Sequence, residues 1–132
     1  MSIEENKAIV RRLMAATNEL DLDVLDKLMS PELAQRYKVI IPLARDMFAG
    51  HRGEITDLIG EGDKVVARVA TSGGHTGEWM GIAPTGRQWT NTGVQFYRFA
   101  DGKVIEFDSM YDRVNHLQQL GAKIVPPEKG GG

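Results

Sequence analysis

Three side chains in the second half of this chain have the chemistry for proton transfer: His75, Asp108 and Asp112. Asp112 stands in Met110-Tyr111-Asp112-Arg113, where a strand is expected to end. A carboxylate behind apolar and aromatic neighbours is pushed toward a raised pKa by desolvation, which suits acid/base work near neutral pH. The competing reading makes Asp112 the N-cap of a following helix, a position that favours Asp. Asp108 lies four residues earlier, so on an extended strand 108, 110 and 112 share one face. Two carboxylates on one face can divide acid and base roles, or they can simply sit at a wet sheet edge. His75, in Ser72-Gly73-Gly74-His75-Thr76-Gly77, carries an imidazole that can serve as acid, base or donor, and is flanked by glycines that allow close backbone approach. The alternative is a structural histidine in a tight connection. His51 and His116 look peripheral, and neither forms a metal-ligand spacing with His75, so no metal site is expected.

Trp79, Trp89, Tyr97 and Met110 are candidates for the wall of a pocket that takes a flat apolar molecule. The glycines of Gly77-Glu78-Trp79-Met80-Gly81-Ile82-Ala83-Pro84-Thr85-Gly86-Arg87 are not in phosphate-loop order, and the chain has no Gly-x-Ser-x-Gly elbow. Cysteine is absent, which excludes disulfides, thiol nucleophiles and thiolate metal sites. Lys plus Arg is 16 against 18 Asp plus Glu, a net charge of −2, which argues against a nucleic-acid partner. No apolar run approaches the ~20 residues that span a bilayer. The acidic start Met1-Ser2-Ile3-Glu4-Glu5 is unlike a secretory signal. A cytoplasmic protein without membrane association is the expectation.

The elements that must position these residues follow from pattern. Ser2 and Glu5 form a capping box ahead of Ile9, Val10, Leu13 and Met14 at helical spacing. Asp21 is expected to cap a shorter stripe, Leu22, Leu25, Leu28 and Met29. Ser30-Pro31 restarts the chain, and Pro42 is expected to interrupt any long helix through 33–48. Strands are expected over 54–61, 64–71, 88–99 and 103–111, with Asp101-Gly102 as a hairpin turn. A helical turn carrying Val114, Leu117 and Leu120 then stops at Gly121. Helices followed by an antiparallel meander predict an α+β domain over 1–125, with 126–132 a disordered tail.

From Gly60 to Gly121 the chain resembles the SnoaL-like polyketide cyclases, or ester cyclases. The resemblance is carried by 61–68, Gly74-His75-Thr76-Gly77-Glu78, 81–87, 98–106, and Asp112 followed by Gln118-Gln119-Leu120-Gly121. It implies the nuclear-transport-factor-2-like cone: a curved, mostly antiparallel sheet wrapped around N-terminal helices, with a deep apolar pocket and dimers formed through the open sheet. It also implies intramolecular aldol ring closure without metal or cofactor, with Asp112 as general acid/base. Asp108 departs from the family, which commonly carries tryptophan there. The function expected is therefore a cofactor-independent cyclase or isomerase acting on a small apolar or aromatic molecule. Asp112 would be its acid/base and His75 an orienting or oxyanion donor. A non-catalytic binding module, and epoxide hydrolysis or a double-bond shift using Asp108 with Asp112, stand as alternatives.

Overall fold

The computed structural model describes residues 1–128. Helix α1 (Ile3–Glu19) begins at the expected capping box: the Ser2 hydroxyl accepts from the Glu5 N–H at 3.0 Å, and the Glu5 carboxylate accepts from the Ser2 N–H at 3.3 Å. Its buried Ile9, Val10, Leu13 and Ala16 form one stripe. Asp21 makes no side-chain cap, contrary to expectation, because the chain there tightens into a 3₁₀ turn at Leu22–Val24. That turn feeds α2 (Leu25–Leu28), which buries Leu25 and Leu28.

Ser30 caps α3 (Pro31–Met47), with Pro31 in the first turn. The helix runs through Pro42 without a break, which corrects the expected interruption. Proline inside a helix costs about 3 kcal/mol, chiefly the lost bond to the carbonyl four residues back. Leu33, Ala34, Tyr37 and Ile41 pack on the core. At roughly 1.5–3 kcal/mol for each large apolar side chain, their burial outweighs one missing hydrogen bond.

Four antiparallel strands follow in sequence order: β1 (Arg52–Glu61), β2 (Lys64–Gly74), β3 (Gln88–Ala100) and β4 (Lys103–Tyr111). The sheet is curved and unclosed, with register shifts between Ile55 and Asp57 and between Arg98 and Phe99. Along β3, Trp89, Asn91, Gly93, Gln95, Tyr97 and Phe99 are buried, while the residues between them face outward. Inward Val65, Ala67, Val69, Tyr97, Phe99 and Val104 meet the α1 stripe, Leu25, Leu28 and Leu33 in the main core. Ser30 N–H donates to the Val104 carbonyl at 2.8 Å, tying the helices to β4. A smaller cluster of Phe48, Trp89 and Leu120 closes the other end beneath α4 (Arg113–Gln119).

The strand register corrects one expected wall residue. Phe107, Ser109 and Tyr111 oppose the inward Tyr97, Gln95 and Gly93. Asp108 and Met110 therefore share a face, as expected, but it is the outer one. Met110 is 69% exposed there. No helix among the described residues is long and apolar enough to cross a membrane. Of the expected tail, residues 126–128 lie in no helix or strand and 129–132 fall outside the described residues.

The turn between β3 and β4 takes positive φ at both central positions, 51° at Asp101 and 78° at Gly102, as a two-residue hairpin of this twist requires. Gly102→Ala puts a Cβ on left-handed backbone and 2.7 Å from the Met1 sulfur. It should destabilise the fold by about 1–2 kcal/mol, read as a lower urea midpoint at unchanged slope.

Candidate active site

Between the helices and the inner face of the sheet lies a cavity of about 420 Å³. Its two walls differ in chemistry. The helical wall is mainly apolar: Leu13, Met14, Leu25, Met29, Ile41 and Ala44. The sheet wall mixes aromatic rings with polar groups: Asn91, Gln95, Tyr97, Phe107, Ser109 and Tyr111. Trp79 and Trp89 line the same space. Such a site suits a flat apolar body carrying oxygen functions on one side.

None of the residues lining the cavity is an aspartate or glutamate. Asp112 is exposed and caps α4, its Oδ1 accepting from the Asn115 N–H at 3.0 Å. The capping geometry follows from its position, since Asp112 is the one residue between the end of β4 and the first turn of α4. Asp108 points outward, and its Oδ1 accepts from the Ser109 N–H at 2.9 Å. The two carboxylates therefore do not meet in the cavity.

His75 is fully buried but outside the cavity lining. It anchors the long connection between β2 and β3. Its N–H donates to the Arg87 carbonyl, its carbonyl accepts from Gly86, and its Nδ1 accepts from the Thr85 N–H at 3.2 Å. A ring with Nδ1 as acceptor carries its proton on Nε2, and this Nε2 has no partner among the described residues. Thr76 and Gly77 fasten the same connection to α3 by donating to the Met47 carbonyl. Trp79 is thereby held against Phe48, with ring centroids 5.3 Å apart.

The other two histidines, which looked peripheral in the sequence, line the cavity. His116 projects inward from α4 and lies between Trp79 and Trp89, at centroid distances of 4.4 and 4.0 Å. Burial is the main cause that pushes its pKa down to about 4, helped by His75, Arg113 and His51. Its Nε2 is sealed in without a partner among the described residues. His51 precedes β1 and packs near Trp89, at 5.8 Å. Burial first, and then Arg45, hold its pKa below the ordinary imidazole value. Arg45 also lines the cavity, and its Nη2 donates to the Thr17 and Asn18 carbonyls at 3.2 Å each. Both histidines keep period with residues that the fold turns inward. His51 continues the inward alternation of Gly53 back by two residues, and His116 is four residues from the buried Leu120. Among the described residues, no group of three or more His, Asp or Glu is placed to hold a metal ion.

Residues 7–120 match the family model described as SnoaL-like polyketide cyclase. Aklanonic acid methyl ester cyclase AcmA from Streptomyces galilaeus is 26% identical over 133 residues, covering 90% of this chain and 92% of AcmA. The structure of AclR, a candidate hydroxylase from the same organism, superposes with a TM-score of 0.81 at 30% identity, covering 95% of this chain and 87% of AclR. IdmH, a candidate polyketide cyclase from Streptomyces antibioticus, superposes with a TM-score of 0.78 at 25% identity, covering 89% and 99%.

The depressed pKa of His116 has a consequence for stability. Between about pH 4 and 6.5 the unfolded chain holds a proton on this ring that the folded chain refuses. Stability contributed by the neutral ring is thus complete above about pH 6.5 and falls as pH drops toward 4, by at most about 1.4 kcal/mol per pH unit. His116→Gln removes that titration. The stability gap between wild type and variant, from urea unfolding, should be constant above pH 7 and shrink from 6.5 to 4. Parallel curves would refute the assignment.

Proposed function

The chain belongs to the SnoaL-like polyketide cyclase family, and from that premise we propose that it catalyses cofactor-independent proton transfer on a flat, carbonyl-bearing apolar molecule, as aldol-type ring closure or a related isomerisation. The observation that carries this reading is a cavity with one apolar wall, one polar wall and a neutral imidazole at its side. His51 is the proposed base. Its lowered pKa leaves it unprotonated near neutral pH, and neither ring nitrogen is bonded to another protein group among the described residues. It takes a proton from the carbon beside a carbonyl. The resulting enolate carbon bonds to a second carbonyl carbon, and the new alkoxide takes the proton back from the imidazolium. The Arg45 guanidinium, close enough to His51 to depress its pKa, also favours the anionic enolate.

The acid/base role that the resemblance gave Asp112 passes to His51 in this reading, because the Asp112 carboxylate is committed to capping α4 outside the cavity lining. Asp108, exposed on the outer sheet face, no longer supports an epoxide-opening pair. A second reading, a binding module without turnover, is favoured by the absence of any carboxylate in the cavity lining. It predicts saturable ligand binding with no product at any pH.

Turnover of a fused-ring aromatic ketone that carries a β-keto ester side chain separates these roles. Asp112→Asn preserves the cap, since Asn serves there as well as Asp, and should leave kcat/KM within about threefold of wild type. His51→Gln should lower it by about 10²–10⁴. Wild-type kcat/KM should fall as pH drops through a value below 6.5, where His51 gains its proton. A loss greater than about tenfold in Asp112→Asn, with His51→Gln unaffected, would return the role to Asp112.

A homodimer through the outer sheet face belongs to the same proposal. Ile59, Val66, Phe96 and Asp108 form one row across the four strands, and Arg68, Val94 and Met110 lie in the next. Ile59 and Phe96 are 61% and 44% exposed, a patch that suits burial against a second copy. Phe96→Glu sets a second carboxylate directly opposite Asp108 in this patch and should yield monomers in sedimentation velocity. A persistent dimer would place the interface elsewhere.

A further inference from the structure

The inner face of β3 and β4 carries a hydrogen-bond chain whose direction can be read from its lengths. The Tyr97 hydroxyl donates to Gln95 Oε1 at 2.5 Å, and Gln95 Nε2 donates to the Tyr111 oxygen at 3.0 Å. These values fit O–H···O and N–H···O bonds respectively, which orients the Gln95 amide with its oxygen toward Tyr97. Tyr97 and Gln95 are both buried, so this is the arrangement that satisfies each of them. Of the two hydroxyl protons in the chain, that of Tyr97 is then assigned and that of Tyr111 is left over. Tyr111 receives a hydrogen bond, and its own O–H has no acceptor among the described residues.

The ring that carries this hydroxyl is held in place. Tyr111 pairs with Gly93 across the strands, and a Cβ at Gly93 would lie 2.2 Å from the tyrosine ring. The ring therefore rests on bare backbone and lines the cavity wall. Tyr97 beneath it is also a cavity residue, but its proton is already spent on Gln95. Arg45 directs its Nη2 at two backbone carbonyls. Arg113 reaches the Met80 sulfur and the face of Trp79. The hydroxyls of Tyr37, Thr71 and Ser109 also face the cavity without an acceptor among the described residues, but Tyr111 is the one that receives a hydrogen bond and whose ring is seated on a glycine, so its unspent donor is the one held in place.

We propose that Tyr111 is the oxyanion donor of this site: its hydroxyl hydrogen-bonds the carbonyl oxygen of the bound molecule, with Gln95 and Tyr97 as positioning residues. The proton stays on tyrosine throughout. The bond strengthens as negative charge develops on the substrate oxygen, so it favours the enolate over the ketone. Burial raises the Tyr111 pKa, which keeps the hydroxyl protonated at working pH. The ligand class is a ketone-bearing fused ring whose oxygen faces the sheet and whose hydrocarbon edge faces the helices. This inference rests on the apolar-cavity reading above but not on His51 as base.

The test uses 1-tetralone, a bicyclic ketone, and tetralin, which has the same ring system without the oxygen. Wild type should bind tetralone about threefold to tenfold more tightly than tetralin, the worth of one neutral hydrogen bond. The carbonyl stretch of bound tetralone should lie at lower wavenumber than in an aprotic solvent. Tyr111→Phe should abolish the preference and return the stretch toward its aprotic value, with tetralin affinity unchanged. Tyr97→Phe, which frees the Gln95 amide to turn and capture the Tyr111 proton, should weaken both effects in part. An unshifted carbonyl stretch in wild type, or one that survives Tyr111→Phe, overturns the proposal. Equal loss of both ligands in the variants would mean that the chain only supports packing, and would overturn it too. Failure of wild type to bind either ring would remove the apolar-cavity reading itself. Turnover lost in His51→Gln with an intact carbonyl shift would separate the two roles.

Discussion

Everything at the cavity depends on the register of β3 against β4. Side chains alternate across a strand with a period of two, so a slip by one residue would exchange every inward group for an outward one. In the observed pairing, Gly93 faces Tyr111, Gln95 faces Ser109 and Tyr97 faces Phe107. The same pairing sends Phe96, Asp108 and Met110 to the other side. Two devices hold the register. At one end the Asp101-Gly102 turn admits only residues that tolerate positive φ. At the other end, a tyrosine ring fits only over a glycine.

The electrostatic character of the site follows from what this register leaves out. With every carboxylate elsewhere, the titratable groups lining the cavity are imidazoles, phenols and guanidinium groups. Desolvation then acts in one consistent sense, disfavouring charge on each group that can lose it: it lowers the histidine pKa values and raises those of the tyrosines. His116 is the extreme case, confined between two indole rings with a sealed nitrogen. Its neutral form packs like another aromatic residue. The wall it forms withstands neutral pH and loses stability when acid forces a charge onto the ring.

Much of the architecture was legible in the residues. The capping box, the Ser30-Pro31 restart, the Asp101-Gly102 turn and the bounds of β4 all rest on local chemistry, and local chemistry decided them. Pro42 was misleading because a local penalty was outweighed by tertiary burial along α3. The site was harder to read, for a reason of parity. Residues 108, 110 and 112 do share a face of the strand, but nothing in β4 alone says which face is inside. Counting back from Trp89, Tyr97 and Phe99 through the hairpin would have given the answer, with allowance for the irregularity at Arg98–Phe99. His75 drew notice for its glycine neighbours, which serve a tight connection. His51 and His116 lay on elements whose inward face shows only once the helices are set on the sheet.

The two walls of the cavity come from different halves of the chain: the helical wall from positions 13–44 and most of the polar wall from 91–111. On the reading proposed above, the size of the hydrocarbon frame that fits is therefore written in one stretch of sequence, and the pattern of its oxygens in another. Changes in one stretch leave the strand pairing of the other untouched. Such a site is modular, and exchanging residues 1–50 between relatives should alter the ring system accepted while keeping the face of the molecule at which charge develops.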